Sequence, residues 1–388
     1  MSTIKVNSIK NTSTDDGGIA IDNSGHVQVD GQQLPTTGAL SNRNLIINGA
    51  MQVAQRGTSS TANGYGTVDR FASENGTATF AQSQGSLTSG DPYNEGFRNF
   101  FRNTNTTAAS NTTGHRNIRY EVEAQDIIRS GWIHTSATSY LTISFWVRSS
   151  VSQEFYGSFR TMDGTSQNYV FSLGTLSANT WTKITKTIPG NSNITMDDNS
   201  GSGIRINIAQ WWGVNYTSSS VSTDAWQAFG GGSRFPDFTN SWGTTAGATF
   251  DITGVQLEVG EKATPFEHRS YGDELAKCQR YYQQIFNGGS GDYSMSAGYT
   301  FNTGSATASG FNLACALRAS PTIYGATTGL AVRSQGNAAN ISAINHTGWT
   351  ANSVWVAVGF DHSDLGSNSY ASSITNRSNK MVALDSEL

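Results

Sequence analysis

The amino-acid sequence predicts an all-β protein in four parts: an N-terminal β segment intertwined with other copies (1–40), a central jelly-roll β-sandwich (41–269), a short helical connector (270–282) and a smaller C-terminal β-sandwich (283–388). Three observations lead there. Short runs of residues alternate apolar and polar at the strand period, and no helical period of any length competes with them. The gaps between runs are Ser, Thr, Asn and Gly, with 42 Gly among 388 residues, the composition of tight turns. Finally, 9 Trp, 14 Tyr and 18 Phe supply core-forming surface that a disordered chain lacks.

The first forty residues hold only isolated apolar pairs, Ile4/Val6, Ile19/Ile21 and Val27/Val29, separated by turn chemistry such as Asp15-Asp16-Gly17-Gly18 and Asn23-Ser24-Gly25. Strands with so little to bury need partners, so we expect copies of the chain to wind together here as a trimer, with a flexible tail as the alternative. The central region carries the strongest strands. Leu141, Ile143, Phe145 and Val147 share one face of a run whose other face is Thr142, Ser144, Trp146 and Arg148. Ile118/Tyr120/Val122 and Ile204/Ile206/Ile208 repeat the pattern, with Arg119/Glu121 and Arg205/Asn207 facing outward. The run Phe250–Val259 changes phase at Gly254, which predicts a β-bulge. Many such strands with turn-rich gaps predict a two-sheet jelly roll.

The stretch Asp273–Arg280 has an acidic start and a basic end, with Asp273 and Lys277 at i,i+4 spacing, favourable for one or two helical turns. After it, Met295/Ala297/Tyr299/Phe301, Phe311/Leu313/Cys315/Leu317 and Val354/Val356/Val358/Phe360 alternate as strands of a second sandwich.

Charge narrows the function. Only 13% of residues are charged and the net charge is −4, without a local Lys/Arg cluster, so nucleic acid is not an expected partner. Sparse charge and many aromatics suit neutral sugars. The two cysteines, Cys278 and Cys315, make neither a disulfide framework nor a metal-ligand spacing. The start, from Met1 to Ile9, has no long apolar run or small-residue cleavage site, so we expect no secretory signal and folding in a cytoplasm. No stretch approaches the length of a membrane span, so no membrane insertion is expected.

The run Arg43-Asn-Leu-Ile-Ile-Asn-Gly-Ala-Met-Gln52, then Gln55-Arg56 and Val68-Asp-Arg-Phe71, resembles the opening of the carbohydrate-binding-module-like domain of bacteriophage tail fibre proteins. Phe250-Asp-Ile-Thr-Gly-Val-Gln-Leu-Glu-Val-Gly260, Ala263-Thr-Pro-Phe-Glu267 and Cys278-Gln-Arg-Tyr-Tyr282 resemble its closing strand and exit. The Ser-Thr-Ile-Lys-Val run at the start and Ala383–Leu388 at the end also resemble ends of tail fibres. The resemblance implies a virion protein, a homotrimer on the phage tail, that recognises the host surface. Its expected partners are a tail or baseplate adaptor, held by residues 1–40, and a host surface glycan or other receptor, held by the distal domain.

No catalytic residue, metal ligand or cofactor is predicted. Glu121/Glu123 flank one strand residue and read as a solvated face, and no HExxH, GxSxG or phosphate loop is present. Asp197-Asp198-Asn199 reads as a turn-capping loop, with a calcium site as the alternative. Gly230-Gly-Gly-Ser233 reads as a flexible turn. A glycan receptor needs flat aromatics beside hydrogen-bonding side chains. Trp211, Trp212, Trp226 and Trp242 lie in or beside loops of the central region, and adjacency places Trp211 and Trp212 on opposite faces. At the expected tip, the runs His346–Trp349 and Asp361–Asp364 are expected in loops; Trp349 is the predicted stacking residue, with His346, Asp361 and Asn337 as hydrogen-bonding neighbours. The competing functions are a glycan-active accessory enzyme and a purely structural virion protein.

Overall fold

A computed structural model describes residues 8–10, 18–21, 27–29, 32–33, 42–76, 79–108, 113–287, 293–302, 305–308, 311–325, 330–334, 337–348, 354–362, 370–376 and 381–388. The chain divides into two compact units, Met1–Arg269 and Ser270–Leu388.

The first unit begins with four short antiparallel strands in chain order, β1 (Ser8–Lys10), β2 (Gly18–Ile21), β3 (Val27–Val29) and β4 (Gln32–Gln33). Ile9 stands opposite Ile19, and Ile19 opposite Val29, so the three form one row across the sheet. They are 63%, 45% and 37% exposed, which leaves these strands without burial to hold them in a single chain. Of the expected pairs, Ile19/Ile21 and Val27/Val29 lie in β2 and β3, while Ile4/Val6 falls outside the described residues.

Twelve strands then build the jelly roll: β5 (Ser59–Ser60), β6 (Ala72–Asn75), β7 (Phe80–Ser86), β8 (Asn99–Asn105), β9 (His115–Glu123), β10 (Tyr140–Ser149), β11 (Glu154–Thr161), β12 (Gln167–Thr175), β13 (Thr182–Pro189), β14 (Ser202–Trp212), β15 (Trp226–Ala228) and β16 (Thr249–Val259). One sheet runs β13-β10-β16-β8-β7-β5 and the other β15-β12-β11-β14-β9-β6. Between them lie the inward residues of each alternating strand, among them Leu141, Ile143, Phe145, Phe155, Phe159, Ile204, Ile206, Ile252 and Leu257. Each such side chain stabilises the fold by about 1.5–3 kcal/mol. The outward residues of β10 are covered too. Thr142 donates to the Gly260 carbonyl (2.7 Å) and Trp146 Nε1 to Glu95 (3.0 Å).

The predicted bulge is present. Ser144 pairs with Gln256 and Trp146 with Thr253, so Gly254 and Val255 together face Phe145. Gly254 has φ 63°, and a Cβ there would meet the Phe97 ring at 2.6 Å, so only glycine fits without strain.

The segment before β5 is latched onto β16 by a buried amide. Asn44 Oδ1 accepts from Ile46 N (2.9 Å) and Leu257 N (3.0 Å), while its Nδ2 donates to the Val255 carbonyl (3.2 Å). Asn48, at φ 61°, accepts from Val53 N and donates to the Val53 and Asp69 carbonyls, each at 2.9 Å. Arg70 is fully buried and donates to the Glu121 carbonyl (2.6 Å). The residues that carried the resemblance therefore close the sandwich, binding its start to its end.

The second unit opens with the helix Tyr271–Gln279, capped by Ser270, whose side chain accepts from Asp273 N (3.2 Å). Ten strands follow: β17 (Tyr282–Asn287), β18 (Tyr293–Asn302), β19 (Ser305–Ala308), β20 (Phe311–Asn312), β21 (Thr322–Gly325), β22 (Leu330–Ser334), β23 (Asn337–Gly348), β24 (Trp355–His362), β25 (Tyr370–Asn376) and β26 (Met381–Asp385). A small sheet runs β17-β26-β21, and a larger one β19-β18-β25-β22-β23-β24-β20. Because β19 also pairs with β24, six strands of the larger sheet close into a ring. Val356, Val358 and Phe360 enter its core with Leu313, Leu317, Leu330 and Val332. The expected strand through Phe311, Leu313, Cys315 and Leu317 stops at Asn312, yet Leu313 and Leu317 remain buried.

Candidate functional site

Strand β14 points Ile204, Ile206 and Ile208 into the core and so turns Arg205 and Asn207 outward. Residues opposite one another on neighbouring strands share a face. Arg205 is paired with Glu121 on β9 and Arg160 on β11, and Asn207 with Arg119 and Ser158. Glu74 on β6 and Asn168 on β12 extend the same face by the same register. The connection from β14 to β16 adds Phe229, Arg234 and Phe235, making a narrow cleft.

Its floor is a network of ion pairs and amides. The buried Glu121 carboxylate, 2% exposed, accepts from Arg205 Nε (2.9 Å) and lies 3.3 Å from Arg119 Nε. Glu74 accepts from Arg119 Nη1 and from Asn117 Nδ2 (3.2 Å). Asn117 donates to Asn207 (3.0 Å), which donates to Ser158 (3.3 Å).

The rim is cationic and aromatic. The Arg160 guanidinium lies 3.6 Å from the centre of the Phe229 ring. Arg234 lies 4.9 Å from the ring centres of both Trp212 and Tyr216, and its Nε donates to the Gly231 carbonyl (3.1 Å). The glycine-rich turn thus places Arg234. Trp212 stacks on His115 at 4.3 Å and 12° and is 5% exposed. Burial pushes the Arg160 and Arg234 guanidiniums below their ordinary values; at Arg234 Tyr216 and Glu74 oppose this and the Arg205 charge adds to it, while at Arg160 the Arg205 and Arg234 charges add to it and Glu121 opposes it. Burial also lowers the His115 imidazole. Such a cleft offers charged N–H donors and an aromatic ring side by side, which suits a ligand with an apolar face and a rim of oxygens.

The residues singled out from sequence fall as follows. Glu121 and Glu123, expected on a solvated face, are 2% and 0% exposed, because Arg205 and Arg119 cover the first and Gln125 donates to the second (2.6 Å). Trp211 and Trp212 are both buried; Trp242 is wholly buried, with Nε1 donating to the Thr249 carbonyl (3.1 Å). Trp226 Nε1 donates to the Pro189 carbonyl (2.7 Å). In the Asp197 loop, Asp198 pairs with Arg129 (2.9 Å), and among the described residues no three His, Cys, Asp or Glu side chains gather to hold a metal.

Trp349 lies outside the described residues. Asn337 lies in β23; His346, also in β23, and Asp361, in β24, lie in strands where loops were expected, because the ring's ladders run further than the apolar alternation does. Asp361 stands between Ala343 and Ser305, and His346 opposite Val358, three register positions away. Asn337 precedes His346 by nine residues on one strand, roughly 30 Å at about 3.3 Å per residue, so the ladder does not gather those two. Arg160, Arg234 and Phe229 were missed in sequence. The available signal was the outward pair Arg205/Asn207 and the Gly-rich turn before Arg234.

No family model and no curated protein matches this sequence. Among solved structures the chain is similar to the enzymatically active domain of tailspike protein 4 of bacteriophage CBA120, at 11% identity and TM-score 0.30, over 56% of this chain and 22% of that one. It is also similar to a family 4 carbohydrate-binding module (CBM4), at 10% identity and TM-score 0.29, over 55% of this chain and 98% of that one. The tandem CBM22-1–CBM22-2 domain of Paenibacillus barcinonensis Xyn10C gives 10% identity and TM-score 0.28, over 92% of this chain and 100% of that one.

Proposed function

We propose that this chain is an attachment protein that binds a surface saccharide in the cleft of the central jelly roll. The observation that carries the reading is the arrangement of Arg160, Arg205 and Arg234 around the half-buried Phe229, on the outward face of a rigid sheet. Binding fits better than cleavage. Glycoside hydrolysis needs a pair of carboxyl groups free to flank the scissile bond, whereas Glu74 and Glu121 are both taken up in ion pairs with the Arg119 guanidinium.

The wider role we propose is that of a phage tail fibre in the virion. Residues 1–40 would join three copies and engage the tail adaptor, for which the exposed row Ile9, Ile19 and Val29 is the support. Three sites on one trimer raise the effective concentration for the second and third contacts, so a modest single site suffices. The C-terminal residues Trp349, His346, Asp361 and Asn337 are the alternative contact with the host glycan.

Glycan-panel binding by the full chain tests this. Phe229→Ala should weaken binding about ten-fold or more, and Trp349→Ala should leave it unchanged. The reverse result would move recognition to the C-terminal unit, and steady release of reducing ends would make the protein an enzyme.

A further inference from the structure

We infer that the cleft takes an acidic saccharide, one bearing a carboxylate or sulfate group. This rests on the cleft being a carbohydrate site. A chain with only 13% charged residues and a net charge of −4 gathers Arg119, Arg160, Arg205 and Arg234 here against Glu74 and Glu121, leaving two positive charges in excess. The two carboxylates are engaged by Arg119 and Arg205. Among the described residues, Arg160 and Arg234 have no carboxylate within ion-pair distance; aromatic rings flank them instead.

Two donors lack an acceptor at the same place. Arg160 Nε and Trp212 Nε1 are buried without a hydrogen-bond partner, and both residues line the cleft. An unmatched buried donor costs about 1–3 kcal/mol, so an acceptor brought by a ligand would relieve that cost. Carboxylate and sulfate carry only acceptors and a charge, and they match the planar fork of a guanidinium. A neutral hydroxyl would satisfy a donor but leave the two excess charges uncompensated. Arg160 lies over one face of the Phe229 ring, so a sugar ring's C–H face would meet the rest of that ring.

The test is titration of the full chain with polygalacturonate and its carboxyl-reduced neutral form, dextran sulfate and plain dextran, and single-stranded DNA. The expected result is binding to an acidic polysaccharide at least about ten-fold tighter than to its neutral counterpart. Arg160→Gln and Arg234→Gln should each weaken it about ten-fold while the chain stays folded by circular dichroism, whereas Arg129→Gln, at the end of the helix Ala124–Ile128 and paired with Asp198, has no effect on binding. The carboxylated and sulfated arms identify which group is read. Equal binding of acidic and neutral forms, with Phe229→Ala still deleterious, overturns the acidic ligand and keeps the carbohydrate site. Equal binding of DNA reassigns the cleft to polyanions in general and overturns the inference, and binding to none of the polymers overturns both readings.

Discussion

Replacing Asn44 with alanine removes one buried amide and strands three backbone groups. The N–H groups of Ile46 and Leu257 lose their acceptor, and the Val255 carbonyl loses a donor. Asn44 is 5% exposed, so water replaces these bonds only in part. At about 1–3 kcal/mol for each buried group left unmatched, and allowing for relaxation, the loss should be roughly 3–5 kcal/mol. For a unit of this size that lowers the melting temperature by roughly 10 °C. Asn44→Asp keeps the acceptor but turns an oxygen toward the Val255 carbonyl at a buried site, so it should also be destabilising. Urea unfolding followed by fluorescence, together with saccharide binding below the transition, measures both consequences. A loss under about 1 kcal/mol, accompanied by lost binding, would refute the latch and make this segment a ligand contact.

Three other outcomes follow from the same structure. Glu121→Gln should destabilise the fold by roughly 2–3 kcal/mol, because Arg205 and Arg119 lose a buried counter-charge, yet strengthen binding of acidic polymer by raising the cleft's positive excess; urea unfolding and a binding isotherm read the two signs. His115 is lowered from 6.5, mainly by burial, so the unfolded chain takes up the proton first as pH falls. Its contribution is complete above pH 6.5, declines from there down to the folded value, and then levels; urea midpoints from about pH 5 to pH 8 should show a flatter profile for His115→Gln. Ile19→Asp places a charge in the exposed apolar row of the first sheet; if the proposed trimer forms through this row, sedimentation should find trimers for the unaltered chain and single chains for the variant, and a variant trimer that persists would remove this row from the interface.

Strand alternation made most of the central fold legible. Leu141, Ile143, Phe145 and Val147 are buried as their period requires, and the phase change at Gly254 is a bulge in fact. What the local pattern does not reveal is what covers an outward face. Glu121 reads as solvated from its own strand, and it is buried by Arg205, which lies 84 residues further along. Trp212 shows the same limit, since its neighbours His115 and Arg234 arrive from another strand and from a loop. In the C-terminal unit, strand lengths were the obscure quantity: β23 extends over Asn337–Gly348, through residues whose polar side chains read as loop.

The most direct test of the cleft is ¹⁹F NMR of the full chain carrying fluorotryptophan, titrated with a bound saccharide and assigned through single Trp→Phe variants. The Trp212 resonance should move with ligand concentration, while those of Trp242, wholly in the core, and Trp349 stay in place. A Trp349 resonance that moves while Trp212 does not would contradict the account and return recognition to the C-terminal unit.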